Sequence, residues 1–417
     1  MKIITLTSNQ FEEFSKKHKY RNYFQTLNYA KLMKTDGYDY HLLGFLNNSN
    51  ELIGASMILF KKVFFNYKIA YAPYGFLIDY TNSDIIEEIT EKLKILLYKQ
   101  KFLYLKINPR IECSKRNKKG KIISYNPEIN DIMEILQKND YIHHGFSNYF
   151  EDIKPRWNAV LKLTASNEKL YQNMDKQIRN KINKAKNCGV ELINDNDVNT
   201  LYEFVKRKHT RNYKYYQKLL SEYKDNAKIY TAVLNTRKYL ENSRNLYEAE
   251  EFKNENIVRN LHDANRHAIN ISKIITQKMI SDKALENRKK HLIKATKLYS
   301  KYPDNIKIAS MLVIEDNDGV NLLIEGFNNK YKDIDPNYLL KWETIKKWDT
   351  EGKKYFNMNG IVGEFDSNNQ YSGLNEAKLG FGADALEYIG EFDLIINKPI
   401  YNIYIKRKER KLKKKKD

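Results

Sequence analysis

The residue types that most often carry chemistry form none of the familiar catalytic spacings in this sequence. It has no GxSxG turn for a nucleophilic serine, no Cys–His nucleophile signature and no HExxH pair for zinc. Cys113 and Cys188 lie outside any CxxC pair, so we expect neither a disulfide framework nor a structural zinc site, as suits a reducing cytoplasm. The pair His143 and His144 has no acid or cysteine at ligand spacing and is predicted to fill a strand edge rather than bind a metal.

Cations are the groups that the sequence supplies in excess. The 417 residues include 73 Lys and Arg against 52 Asp and Glu, a formal net charge of +21. Residues 406–417, KRKERKLKKKKD, hold nine basic and two acidic residues, so the rest of the chain is basic as well. Such a field attracts polyanions, either nucleic acid or an anionic membrane surface, although an AT-rich genome also raises the Lys content. The basic tail is interpreted either as a disordered solvating segment or as a tether to the inner leaflet.

The apolar spacing along the chain predicts helices that alternate with strands. Helical apolar spacing occurs in residues 9–17, 26–34 and 85–101. Strand-like runs occur in residues 40–46, 52–60, 67–72 and 102–107. A similar mix recurs from residue 157 to residue 358, with a predicted hairpin around Asp318 and Gly319. The sequence therefore predicts an α/β (α+β) fold with two related subdomains.

A long, charged stretch interrupts the second of these series. No Gly or Pro occurs between Gly189 and Pro303. Within this stretch, apolar residues recur at alternating intervals of four and three residues, as in a coiled-coil seam. They are Ile257, Leu261, Ala264, Ala268, Ile271 and Ile275. Residues 232–302 are therefore predicted to form an antiparallel helical hairpin that projects as an arm, with the reversal at residues 254–256.

The most specific string is KYFNMNGIVGEFDSNNQYSGLNEAKLGFGADALEYIGEFDL, residues 354–394. Four further strings accompany it: FQTLNYAKLMK (24–34), AYAPYGFLID (70–79), PRWNAVLKL (155–163) and KQIRNKINKAKNCGVEL (176–192). Together they resemble the FemABX aminoacyltransferases in order and along essentially the whole chain. The chain departs from the family pattern at Tyr29, where tryptophan is usual, and at Phe76, where proline is common.

This resemblance implies two acetyltransferase-like (GNAT-like) subdomains. The first would hold residues 1–152 together with about 387–405, the second residues 153–386 with the arm, and residues 406–417 would be the basic tail. It implies a cytoplasmic enzyme that transfers Gly, Ala or Ser from aminoacyl-tRNA to the stem-peptide amine of a peptidoglycan precursor. Lipid II and UDP-MurNAc-pentapeptide are both open as acceptors, and peripheral contact with the membrane is open too. Aminoacyl-tRNA is the donor substrate, and neither a metal nor another cofactor is implied.

The resemblance also assigns site residues. Lys378 matches a lysine near the reacting carbonyl, where an ammonium can meet a developing oxyanion. Lys31 and Arg211 match residues that hold the acceptor's pyrophosphate, and Tyr215 matches a tyrosine that could hydrogen-bond the precursor. Asn108 stands where several relatives have aspartate. Because an amide cannot accept a proton at neutral pH, we expect Asn108 to bind substrate or cap a turn, and the proton to pass to the substrate or the departing ribose oxygen.

Two other functions are open from sequence alone. An acetyl-CoA-dependent N-acetyltransferase needs a glycine-rich loop around its pyrophosphate, and residues 379–384, LGFGAD, are the best match, although they already belong to the family string. A non-catalytic RNA-binding module would fit the charge and the arm, but the sequence has no RRM or KH signature.

Overall fold

The computed structural model describes residues 1–151, 153–207, 211–266 and 271–413, and within these ranges the chain builds two β-sheets. The strands are β1 (Lys2–Thr5), β2 (Asp39–Leu46), β3 (Leu52–Lys62), β4 (Lys68–Ala72), β5 (Phe102–Ile107), β6 (Glu112–Arg116), β7 (Ile122–Tyr125), β8 (Tyr141–His143), β9 (Trp157–Lys162), β10 (Val190–Asn194), β11 (Ala227–Leu234), β12 (Ile306–Asp316), β13 (Gly319–Phe327), β14 (Tyr355–Gly360), β15 (Asp384–Tyr388) and β16 (Phe392–Ile395). The α-helices are α1 (Ser8–Lys17), α2 (Leu27–Met33), α3 (Ser83–Lys99), α4 (Ile129–Lys138), α5 (Asn167–Asn173), α6 (Lys176–Asn187), α7 (Val198–Val205), α8 (Tyr213–Tyr223), α9 (Thr236–Arg266), α10 (Ser272–Lys301), α11 (Pro336–Thr350), α12 (Ser372–Leu379) and α13 (Lys398–Lys413).

The two sheets share one pattern: a series of antiparallel strands and one parallel pair. The first sheet has the order β1-β2-β3-β4-β5-β16-β8, and its parallel pair is β4 with β5. The second has the order β10-β11-β12-β13-β14-β9-β15-β6-β7, and its parallel pair is β13 with β14. A parallel pair requires a helical crossover, which α3 supplies in the first sheet and α11 in the second. The predicted hairpin is confirmed, because Asp316 pairs with Gly319 across the β12–β13 turn.

The subdomains exchange strands. The pair β6 and β7 joins the second sheet through β15, where Ala385 lies opposite Arg116, although the sequence had placed residues 1–152 in the first subdomain. In return β16 runs between β5 and β8 of the first sheet, with Phe392 opposite both Ile107 and His143. The family resemblance had placed residues of about 387–405, which include β16, in the first subdomain. Periodicity identifies a strand but does not say which sheet it joins, so the transfer of β6 and β7 was not visible in the sequence.

The arm consists of α9 and α10, which run antiparallel. At its base the Thr236 hydroxyl donates to the Tyr302 carbonyl over 2.8 Å, and further out the Asn254 amide donates to Asp282 over 2.8 Å. The reversal predicted at residues 254–256 is wrong, because these residues lie inside α9. Asparagine is a weak helix former but, without Gly or Pro beside it, does not end a charged helix. Ala268 of the predicted seam lies outside the described residues.

The first part of the predicted basic tail belongs to a helix. Residues 406–413 continue α13, which starts at residue 398, so this part is helical rather than disordered; residues 414–417 lie outside the described ones. The helix lies against β5, where Tyr401 contacts Tyr104 with ring centroids 5.4 Å apart.

A core shared by both subdomains joins them. It packs Phe11 and Leu32 of the first against Leu219 and Leu312 of the second, all at most 1% exposed. Two hydrogen bonds cross the same interface at Tyr23: its backbone N–H donates to Asp316 over 3.1 Å, and its carbonyl accepts from the Tyr223 hydroxyl over 2.8 Å. The relative position of the subdomains is therefore set by packing and by directional bonds.

A buried ion cluster fixes the returning strand β16. The Lys106 ammonium lies 2.9 Å from Glu391 and 3.1 Å from Asp393, and His144 lies 3.0 Å from the other oxygen of Asp393. Burial alone would lower the pKa of Lys106, but Asp393 and Glu391 outweigh it and the pKa is raised. Lys106 therefore compensates the charge of two buried carboxylates.

Replacing Lys106 should destabilise the fold. We expect Lys106→Met to lower the free energy of unfolding by about 3–5 kcal/mol, because it leaves buried carboxylates without their counter-charge. The matched control is Lys94→Met, which breaks an ion pair with the exposed Asp140 and should cost about 0–1 kcal/mol. Urea unfolding of both variants checks this, and equal costs would contradict the role given to Lys106.

Candidate active site

Two cavities meet at the junction of the subdomains. One, of about 340 Å³, lies between them and is lined by residues such as Tyr23 and Phe24 of the first and Tyr215 and Leu312 of the second; we call it the interdomain cavity. The other, of about 530 Å³, lies over the first sheet beside Lys61, Tyr71 and Tyr104; we call it the sheet cavity. Their shared wall consists of Tyr29, Ile153, Lys154 and Arg211.

Arg211 and Tyr215 lie together in this site. The Arg211 guanidinium forms an ion pair with Asp36 and sits 4.6 Å from the centroid of the Tyr215 ring. Tyr215 belongs to the first turn of α8, where Asn212 caps the helix by accepting from the Tyr215 N–H over 2.9 Å. The cap and the ion pair position the guanidinium at the wall of both cavities, where a phosphate could use its remaining donors.

Lys154 was missed by the sequence interpretation. It lies on the segment that joins β8 to β9, and its ammonium stands 3.7 Å from the Phe24 ring centroid and 5.7 Å from that of Tyr29. Among the described residues no carboxylate lies within ion-pair distance of it. Burial without such a partner lowers the pKa of Lys154 to about 7. Its position just before Pro155, at the predicted subdomain boundary, is the signal that could have identified it.

Lys378 is half-buried on α12 and donates to the Gly360 carbonyl over 2.6 Å. Burial and the nearby charge of Lys341 lower the pKa of Lys378 to about 8, against the opposing effect of Glu325. Lys341 is itself fully buried and lies 3.0 Å from Glu325. Sequence reasoning also missed this pair, because Lys341 follows a Leu-Leu run in a helix that otherwise looks like core.

Lys378 is not among the residues that line either cavity, but the strand to which it donates, β14, reaches the interdomain cavity. Gly360 packs so tightly on Pro155 that an added Cβ would lie 2.6 Å from its ring. The preceding residue, Asn359, lines the cavity together with Lys154 and Pro155. The strand that accepts the hydrogen bond of Lys378 thus also forms the cavity wall.

Asn108 lies behind the cavity wall rather than on it. Its side-chain oxygen accepts from the Tyr71 hydroxyl over 3.0 Å and from the Tyr74 N–H over 2.9 Å. Tyr71 lines the sheet cavity and Tyr74 the interdomain cavity, so Asn108 fixes one aromatic wall of each. This geometry favours a positioning role, and a direct contact with substrate stays a prediction.

Lys31 is not brought to the other predicted residues. It is exposed on α2 and is not among the residues that line either cavity, although its neighbour Tyr29 lines both. A phosphate role for Lys31 therefore stays a prediction. A larger polar cavity of about 720 Å³, beside Lys17, Arg110 and Tyr355, contains none of the five predicted residues.

Comparison with known proteins places this geometry in a family. The sequence profile of the FemAB family matches residues 6–407. The chain is similar to "Aminoacyltransferase FemA" of Staphylococcus epidermidis, 27% identical over 99% of this chain and 100% of that protein. It is also similar to the protein of the same name from Staphylococcus aureus, 25% identical over 97% of each.

A crystal structure of FemX shares the fold, with a TM-score of 0.72 at 19% identity, over 97% of this chain and 99% of that chain. The predicted fold class, two acetyltransferase-like subdomains with an inserted helical hairpin, is confirmed by this likeness and by the two sheets and paired helices described above. With a profile match that spans nearly its whole length, the chain belongs to the FemAB family.

Proposed function

We propose that this chain is an aminoacyltransferase that moves an amino acid from aminoacyl-tRNA to the stem-peptide amine of a peptidoglycan precursor. The observation that carries the proposal is the FemAB match along residues 6–407, together with relatives named aminoacyltransferase FemA. Glycine, alanine and serine are the amino acids to test. The two adjoining cavities, which could hold a donor and an acceptor, support a two-substrate reaction.

The proposed reaction requires no covalent intermediate with the protein. The acceptor nitrogen attacks the ester carbon, a C–N bond forms, the bond to the ribose oxygen breaks, and the proton lost by the amine ends on that oxygen. Because the ester is already activated, positioning and electrostatic stabilisation can suffice. Atoms and charge balance in this step without a metal or an organic cofactor.

Two lysines with different pKa values suit two roles in this reaction, stabilising the oxyanion and accepting a proton. With a pKa of about 8, Lys378 is mostly protonated at neutral pH and can stabilise the oxyanion of the tetrahedral intermediate. With a pKa of about 7, Lys154 is often neutral and can accept the proton of the attacking amine. We propose that Lys154 is the general base, a role that the Asn108 amide cannot fill. Lys154 then returns the proton to the leaving ribose oxygen.

The acceptor is proposed to bind where the cations converge. Arg211 lines both cavities and Lys61 lines the sheet cavity, which suits a diphosphate. The arrangement does not distinguish lipid II from UDP-MurNAc-pentapeptide. We propose that the reaction takes place in the cytoplasm, with the protein in peripheral contact with the inner leaflet. Among the described helices, none combines the length and apolarity needed to cross a bilayer.

A transfer assay tests the proposed function. Purified protein is incubated with lipid II or UDP-MurNAc-pentapeptide and with tRNA carrying radiolabelled Gly, Ala or Ser. We expect label in one precursor, and a loss of about 100-fold or more in Lys378→Ala if its ammonium stabilises the oxyanion. The control Lys354→Ala, which removes an exposed lysine paired with Asp318, should keep full activity. No transfer from any charged tRNA, together with acetylation from acetyl-CoA or binding of uncharged RNA alone, would contradict the proposal.

The pH dependence of kcat/KM tests Lys154. Because Lys378 must stay protonated, the rate falls above its pKa of about 8. A general base with a pKa of about 7 adds the inflection near pH 7, up to which the rate rises with pH. Lys154→Met should lower kcat/KM about 100-fold and remove the inflection, and Lys154→Arg should do the same, since arginine stays protonated. Lys61→Met, which changes another lysine of the sheet cavity, should keep the inflection. An unchanged profile in Lys154→Met would rule out the proposed role.

Substitution of Asn108 separates positioning from catalysis. Asn108→Ala leaves two buried donors without an acceptor and should lower the free energy of unfolding by about 1–3 kcal/mol, with only a modest loss of transfer. Asn108→Asp keeps both acceptor contacts and should be closer to the wild type in thermal unfolding. Complete loss of transfer in a well-folded Asn108→Ala would show instead that the amide acts directly on substrate.

A further inference from the structure

An exposed aromatic and basic surface lies at one end of the first sheet. It is formed by residues 61–68, which turn from β3 into β4, residues 98–101 at the end of α3, and α13; we call it the basic-aromatic surface. Its parts are connected, since the Lys68 N–H donates to the Lys101 carbonyl over 2.9 Å. The Tyr404 ring of α13 stacks on Phe64 with centroids 6.0 Å apart.

The turn in this surface presents an aromatic side chain to solvent. It is closed by the Val63 N–H, which donates to the Tyr67 carbonyl over 2.9 Å. At its tip Phe65 is 75% exposed. The Arg407 guanidinium of α13 lies 5.2 Å from the Phe64 ring and 5.7 Å from that of Phe65. An exposed phenylalanine beside cations is the combination that enters the boundary between lipid headgroups and acyl chains.

The basic-aromatic surface carries a strong excess of positive charge. Its three segments contain twelve lysines and arginines, and Glu409 is the single acidic residue in them. Each basic residue near an anionic bilayer adds to the attraction, and the sum falls off within a Debye length. Charge complementarity therefore favours an anionic membrane as the partner of this surface, and the apolar tip at Phe65 favours a bilayer over RNA.

The sheet cavity is continuous with this surface. Tyr104 lines the cavity and contacts Tyr401 and Tyr404 of α13, with centroids 5.4 and 6.3 Å apart. Lys61 lines the same cavity from the end of β3 and sits 4.6 Å from the Tyr38 ring. A molecule bound in the cavity would thus lie beside the elements that carry Phe65 and Arg407.

We propose that the basic-aromatic surface docks on an anionic bilayer, so that the sheet cavity takes the head of an acceptor whose lipid stays in the membrane. This inference rests on the proposed function and makes its acceptor a lipid-linked precursor rather than a soluble nucleotide. The surface holds the enzyme where that substrate is concentrated.

Vesicle flotation with the full-length protein tests the docking without any transfer. We expect the wild type to float with phosphatidylglycerol vesicles and not with phosphatidylcholine vesicles. Phe65→Ser and Arg407→Glu should each weaken binding about ten-fold. The matched controls are on the arm: Phe252→Ser, whose phenylalanine is 64% exposed, and Lys289→Glu at an exposed lysine of α10. Both should bind as the wild type does.

The acceptor part is tested with the same variants. Phe65→Ser should lower transfer to lipid II in phosphatidylglycerol vesicles about ten-fold and leave any transfer to UDP-MurNAc-pentapeptide unchanged. Wild-type protein that fails to float, or variants that float equally well or lose RNA binding instead, would overturn the docking surface. Equal loss on both acceptors would overturn its link to the lipid. Normal flotation with no transfer to either acceptor would contradict the proposed function and leave the docking surface supported.

Discussion

The core shared by the two subdomains holds the walls of the site in place. Leu32 and Leu312 pack in it from opposite sides, and Tyr23 is held to Asp316 and Tyr223 by directional bonds. The interdomain cavity takes its walls from both subdomains, so its width is a consequence of this packing. A shift of either subdomain would move Arg211 and Tyr215 relative to Phe24, and with them the surroundings of Lys154.

The pKa values of three lysines, Lys106, Lys378 and Lys154, follow from how far each is buried and from the charges around it. Lys106 has two carboxylates beside it and its pKa is raised in spite of burial. Lys378 is half-buried near the positive charge of Lys341, with Glu325 offsetting part of the effect, and its pKa falls to about 8. Lys154 has aromatic rings where Lys106 has carboxylates, and its pKa falls to about 7. One residue type thus serves as a structural cation, a candidate oxyanion stabiliser and a candidate base.

The sequence predicted what depends on local pattern and on strings of residues. The apolar spacing located the hairpin at Asp318 and the helical arm, and the string at residues 354–394 identified the family. It could not predict what depends on distant contacts. The transfer of β6 to the second sheet is decided by pairing between residues far apart in the chain. The partners of Asn108 come from another strand and the turn after it, and Lys154 acquires its environment only when Phe24 folds over it.

In the arm, local sequence pattern predicted the position of the reversal wrongly. Its helices were predicted from their spacing, but the reversal was placed at a cluster of polar residues that in fact continue α9. An exposed, charged helix with no Gly or Pro carries little local information about where it ends. Residues 254–256 are held instead by contacts to α10, such as the bond from Asn254 to Asp282.

The meeting of the two subdomains leaves Lys154 among aromatic rings, with no carboxylate of the described residues within ion-pair distance, and we propose that it accepts a proton. The most direct test is an NMR titration of the lysine side chains in the wild type, with the Lys154 signal assigned by its absence from Lys154→Arg. We expect a pKa of about 7 for Lys154. A pKa near its ordinary value of 10.5 would contradict it.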